Sequence, residues 1–260
     1  MTPPMGICTS VEKAAQVQAA GGDFVEAGVA ALLQGQLPDE QWQGRQRVAG
    51  LPLPVLAANM LVPKVLKITG PVVDPAALSL HMQRVVSRAQ AVGMKTLVFG
   101  SGPARQVPEG FDRAQARRQI LDFLHLSAGL ALKHGICIVV EPLNALECNI
   151  INSVAEAMTY VSAVDHPNIR CLVDSYHFWK EKESLDNVRA ALPYLAHVHV
   201  ADLDRRPPGQ GSGGDYATFF GLLKRGHYAG PISVECNGLD DIPALAPRVL
   251  DFLKRQWQDA

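Results

Sequence analysis

The sequence predicts an α/β fold, a single (β/α)8 barrel running through residues 1–260. Three observations predict it. Eight short apolar runs recur along the chain, segments with helical periodicity lie between most of them, and 260 residues is close to the roughly 250 such a barrel occupies. The runs fall at 5–8, 24–27, 55–59, 96–100, 136–141, 169–174, 196–201 and 232–235. They are apolar nearly throughout, as strands buried on both faces are.

Each helical segment carries its own signals. Asp74 before Pro75 is an N-cap followed by proline at the first helical position. Leu78, Met82, Val85, Ala89 and Val92 then make one apolar stripe. Gly135 ends a helix just before the fifth strand. Ser153 with Glu156 reads as a capping box opening another helix. Trp42, Trp179 and Trp257 are expected to pack, and His166, in Asp-His-Pro-Asn, belongs to a turn. No Gly-x-Gly-x-x-Gly follows the first strand, which leaves a doubly wound dinucleotide fold without its signature.

Composition narrows the function classes. Apolar content is 48%, charged content 19% and formal net charge −1, a globular balance with no basic surface for nucleic acid. No apolar run approaches the roughly 20 residues of a membrane span, and no charged and apolar leader opens the chain. The five cysteines are scattered and odd in number, as in a reduced, cytoplasmic protein.

A barrel of this kind does its chemistry where the strands end. The fifth strand ends at Glu141, the sixth at Asp174, with His177 close behind, and the eighth at Glu235. The seventh carries His197 and His199, whose i, i+2 spacing puts both imidazoles on one face. Three carboxylates on one arc repel unless they bind protons or a cation. A divalent metal held by Glu141, Asp174, His199 and Glu235 resolves the repulsion. Oxygen-rich ligands with one imidazole suit Mn²⁺ first, with Mg²⁺ and Co²⁺ next, ahead of Zn²⁺. His199, nearer the rim, is the ligand; His197 is a packed histidine or one that supports the ligands. Glu26, ending the second strand, either supports the centre or is satisfied in the barrel floor. Ser101 and Arg105, after the fourth strand, either bind a distal phosphate or carboxylate of a substrate or anchor their loop to a neighbouring acid.

The ordered set VEPLN, DSYH, HVHVAD and SVEC, with MGICTS near the start and FGSGPARQVPEGFD after the fourth strand, resembles the xylose-isomerase-like TIM barrels. The branch it resembles holds ketose 3-epimerases and hydroxypyruvate isomerases. The resemblance implies an isomerase or epimerase of a small, possibly phosphorylated sugar or keto-acid that uses one divalent metal. It implies that Glu141 and Glu235 act as the acid–base pair, and that Glu147, His177 and Arg205 touch substrate. Such a reaction removes a proton beside a carbonyl and stabilises an enediolate, which requires bases on two faces and donors at the oxygens. The Pro-Pro-Gly loop after Arg205 would restrain that arginine's backbone. A dehydratase of the inosose or dehydroshikimate type shares the first step, and only its product separates it. An abasic-site endonuclease would need further histidines on earlier strands, which end here in Asn59-Met60 and Phe99-Gly100. A binding protein that keeps the scaffold is the third alternative. A homo-oligomer is compatible with the chain.

Overall fold

The structure, a computed structural model, describes residues 2–260. Its eight strands are β1 (Met5–Cys8), β2 (Phe24–Gly28), β3 (Val55–Asn59), β4 (Thr96–Phe99), β5 (Cys137–Val140), β6 (Ile169–Asp174), β7 (Leu195–Val200) and β8 (Ile232–Val234). All neighbouring pairs are parallel, and β1 pairs with both β2 and β8, which closes the barrel in sequence order. Every predicted strand is present, with ends shifted by at most one residue. Where the sequence reading ran a strand on to Glu141 or Glu235, the ladder still reaches them. Glu141 N–H donates to Phe99 O at 3.2 Å, and Glu235 N–H to Val200 O at 3.1 Å.

The helices are α1 (Ala14–Ala19), α2 (Val29–Leu32), α3 (Gly44–Val48), α4 (Pro75–Ala91), α5 (Gly102–Arg105), α6 (Arg113–His134), α7 (Val154–Val164), α8 (Ser175–Lys180), α9 (Leu185–Ala191), α10 (Tyr216–Arg225) and α11 (Ile242–Asp259). Asp74 caps α4 by accepting from the N–H groups of Ala76 and Ala77, both at 3.0 Å. Ser153 accepts from Glu156 N–H at 3.0 Å. The return bond of that box comes one residue early, from Asn152 N–H to Glu156 Oε2 at 2.8 Å. Gly135 takes φ +63° after α6, a conformation open to residues without a Cβ.

Two apolar regions hold the barrel. The large one lies between strands and helices and takes the outward residues, such as Ile138, Val140 and Val173. The small one, Val98, Val139 and Leu172, consists of residues that alternate with them and so point inward. Inside, above this plug, the side chains turn polar: Glu26, His197, His199 and Ser233 are all 0% exposed. The fold thus stacks an apolar floor beneath a buried polar layer at the C-terminal mouth. Among the described residues, no helix is long and apolar enough to cross a membrane.

Candidate metal centre

Four neighbouring strands bring Glu141, Asp174, His199 and Glu235 together. One ligand atom from each lies within 4.8 Å of all the others. His199 Nδ1 sits 3.2 Å from Glu141 Oε1 and 3.4 Å from Glu235 Oε2. Asp174 caps α8 through Oδ1, which accepts from Tyr176 N–H at 2.8 Å. Its other oxygen, Oδ2, is buried without a hydrogen-bond partner. A buried carboxylate oxygen left unpaired is costly, and a cation at the centre would satisfy it. Gly100 makes room beside β5. A Cβ there would lie 2.1 Å from Glu141 Oε2, so only glycine leaves that carboxylate its place.

The electrostatics agree with a cation. Burial, together with repulsion from Glu141 and Glu235, outweighs the pull of His177 and raises Asp174 to about 6. Burial likewise raises Glu141. Burial opposes charge on His199 too, yet Glu26 and Glu235 push that imidazole well above its ordinary value. Glu235 is buried, but His199 and Arg205 bring it down to about 2. The cluster as a whole therefore demands positive charge at His199 Nδ1, which a divalent ion supplies as a proton does.

Glu26 settles which nitrogen of His199 is free. Glu26 Oε1 accepts from His199 Nε2 at 3.0 Å. Glu26 Oε2 accepts from His197 Nε2 at 2.7 Å and from Ser233 Oγ at 2.5 Å. Although Glu26 is buried, the two histidines hold its carboxyl well below the usual range. An anionic Glu26 keeps a proton on Nε2 and makes Nδ1 the nitrogen that faces the centre, as metal-bound histidines are commonly oriented. Glu26 is satisfied within the buried polar layer and also touches His199, so its placement fits both sequence readings of it. His197 likewise stands one layer below the ligands, bonded to Glu26.

Of the three expected substrate contacts, Glu147 and Arg205 line the opening over the centre, and His177 is buried beside Asp174. His177 Nδ1 accepts from Asn144 N–H at 3.0 Å, with Asn144 Nδ2 at 2.8 Å. Its proton therefore sits on Nε2, a buried N–H without a hydrogen-bond partner, 3.6 Å from Asp174 Oδ2. Arg205 Nη1 grips both oxygens of Glu147 at 2.8 and 2.9 Å. Its Nη2 reaches Glu235 Oε2 at 3.4 Å, and its guanidinium lies 4.8 Å from the centre of the Tyr176 ring. Arg205 has φ +61°, an uncommon conformation for a side-chain-bearing residue. Its loop is held less by the prolines than by Asp202. That buried carboxylate accepts from Gly209 N–H, Gly211 N–H and Tyr216 O–H at 3.1, 2.7 and 3.0 Å. A cavity of about 550 Å³ opens over the centre, lined by Asn59, Met60, Glu141, Glu147, Arg205 and Glu235 among others.

Of the two readings of Arg105, ligand for a distal anion or anchor of its loop, the structure supports the anchor. Arg105 is 0% exposed and donates to the backbone oxygens of Phe99 and Glu141 at 2.9 and 2.7 Å. Its partners are carbonyls at the ends of β4 and β5, not an acid. Ser101 Oγ accepts from Val62 N–H at 2.9 Å. Sequence reasoning passed over Asn59, whose Nδ2 donates to Glu235 Oε1 at 2.6 Å. It also passed over Asn144, which orients His177 and donates to Glu147 Oε1 at 2.9 Å. Asn59 does end the third strand, and that position was a usable signal.

Residues 14–256 match the family described as Xylose isomerase-like TIM barrel. An L-ribulose 3-epimerase of Methylomonas sp. strain DH-1 is 31% identical over 134 residues, 51% of this chain and 46% of that protein. A 3-dehydro-D-guloside 4-epimerase of Escherichia coli K12 is 28% identical over 180 residues, 65% of this chain and 66% of that protein. The alignments thus span between about half and two thirds of these relatives. The crystal structure of a 3-keto-D-glucoside 4-epimerase from E. coli shares the fold, with a TM-score of 0.82 at 21% identity over 98% of this chain and 100% of that one.

Proposed function

Since the chain belongs to the xylose isomerase-like TIM barrel family, we propose that it is an enzyme that isomerises or epimerises a small sugar or keto-sugar, using one divalent metal. Carrying the reading is the placement of two glutamates around one imidazole. Glu141 and Glu235 each approach His199 Nδ1, at 3.2 and 3.4 Å, and both line the same cavity. They come from β5 and β8, the outer members of the four-strand arc, so a substrate seated between them meets a carboxylate on each side.

Glu141, Asp174, His199 through Nδ1, and Glu235 would hold the ion. Three carboxylates and an imidazole favour Mn²⁺, with Mg²⁺ and Co²⁺ as substitutes. When bound, the ion polarises a carbonyl oxygen and lowers the cost of the enediolate. One glutamate takes the proton from the carbon beside that carbonyl, and the other returns it to the opposite face. His177, with its proton fixed on Nε2 by Asn144, donates to a substrate oxygen. Glu147 and Arg205 lock each other at the cavity wall, where they position substrate hydroxyls. Asn59 restricts Glu235 by holding Oε1, which leaves Oε2 turned to the centre.

The test is a screen of small ketoses, keto-glycosides and hydroxypyruvate for metal-dependent exchange of a carbon-bound proton with solvent deuterium, followed by NMR. Exchange with a stereochemical or positional change in the product is expected. Loss of water would assign the site to the dehydratase chemistry instead.

A further inference from the structure

On the other side of Glu235 lies a thiol that the proposed reaction leaves unused. A second cavity, of about 330 Å³, is lined by Cys8, Glu26, Asn59, Glu235 and Cys236 among others. Cys8 ends β1 and stands opposite Glu26 in the β1–β2 register. Its thiol, a Glu26 carboxylate oxygen and an imidazole nitrogen of His199 lie within 4.8 Å of one another. The imidazole edge turned towards Glu26 is Nε2, 3.0 Å from Oε1.

We propose that thiolate-seeking cations, Zn²⁺ and Cd²⁺, bind here through Cys8 Sγ, Glu26 Oε1 and His199 Nε2, and that this binding excludes the oxygen-preferring ion from the centre on the other face of His199. Sulfur, nitrogen and oxygen from three residues form a ligand set for a tetrahedral ion, with the fourth position open to water from the cavity. Neither cluster can serve both ion classes equally, because only this one contains a thiolate.

Glu26 is built to change partners. Its Oε2 is held by His197 and Ser233, while Oε1 is held by His199 alone. An ion replacing that single N–H leaves the other two bonds intact. Cys8 gives up its thiol proton, and His199 the proton on Nε2, to solvent as sulfur and nitrogen bond the ion. Nδ1 stays against the Glu141 and Glu235 carboxylates at 3.2 and 3.4 Å. His199 is the one residue that the two clusters share, so ions at both would sit on opposite edges of a single buried ring, and occupancy of one site closes the other. The exclusion rests on the metal centre proposed above; the thiolate site does not.

The experiment titrates the full chain, stripped with a chelator, with Cd²⁺ and follows ultraviolet thiolate-to-metal charge transfer. A saturable band is expected in the wild type and in Cys236→Ser, and no band in Cys8→Ser. Mn²⁺ binding, read by electron paramagnetic resonance, should persist in Cys8→Ser, which shows that this variant is folded. Mn²⁺ held at roughly ten times its own dissociation constant should shift the Cd²⁺ midpoint upward about tenfold. Absence of the band, or its survival in Cys8→Ser, overturns the thiolate site. A midpoint unmoved by bound Mn²⁺ overturns the exclusion. If no Mn²⁺ binds either protein while the Cys8-dependent band forms, the thiolate site stands and the oxygen-rich centre falls.

Discussion

Glu26 is fully buried, yet its bond to Nε2 decides which nitrogen of His199 faces the proposed metal site. Glu26→Ala removes the acceptor that keeps the proton on Nε2 and frees the imidazole to turn. Loss of such a supporting carboxylate typically weakens metal binding about 10–100-fold. Calorimetric titration with Mn²⁺ measures it, and an unchanged affinity would show that the tautomer needs no help from Glu26. In the proposed mechanism the two glutamates of the centre differ in kind from Glu26, because they would act on the substrate. Glu141→Gln and Glu235→Gln each keep an oxygen donor and the side-chain volume but lose the base. Each is expected to abolish turnover, with a loss of roughly 10²–10⁴-fold typical of a missing general base. A variant that retains metal and substrate binding should still exchange the proton of one epimer, through the base that remains. Deuterium incorporation into each epimer distinguishes the cases, and full epimerisation by either variant would eliminate the two-glutamate scheme.

Gly100, after β4, shows how little room the strand ends leave around Glu141. Gly100 does not have a positive φ, so alanine fits the backbone there. Its Cβ would nevertheless lie 2.1 Å from Glu141 Oε2, and the carboxylate has to move. Gly100→Ala is therefore predicted to fold with little change in thermal stability and to lose activity, by the ~10²-fold that a shift of about 1 Å costs. A melting curve beside an activity assay tests the pair; full activity would show that Glu141 works equally well displaced. The elements themselves were legible in the sequence, since parallel strands buried on both faces must be apolar runs and the barrel rule assigns chemistry to their ends. What stayed hidden depended on contacts across the barrel. Whether Glu26 points at solvent, floor or His199 depends on partners on β7 and β8, which no local pattern reveals. Arg105 was left between two readings for the same reason. An arginine after a strand can bind an anion or anchor its loop, and only the carbonyls of Phe99 and Glu141 beside it decide.

At the scale of the whole barrel, the polar layer ties together strands that share no ladder. Glu26 on β2 bonds to His197 and His199 on β7 and to Ser233 on β8, bridging across β1. The four proposed metal ligands continue the tie through the ends of β5, β6, β7 and β8. Three acidic ligands concentrated on one half of the mouth repel one another, and Asp174 is already raised to about 6, with burial the largest cause. An ion that binds this arrangement finds no comparable site in the unfolded chain, where the four ligands lie far apart in sequence. Mass action then stabilises the fold by about 2.7 kcal/mol at 100 times the dissociation constant. For a chain of this size that corresponds to a rise in melting temperature of roughly 5–10 °C. Scanning calorimetry of chelated and Mn²⁺-loaded protein gives the difference. The same scan on Asp174→Asn serves as the control, because that substitution removes a charged ligand and the repulsion together. It should melt near or above the chelated wild type while gaining much less from Mn²⁺. Equal gains in both proteins would mean that the ion stabilises the barrel from some other place.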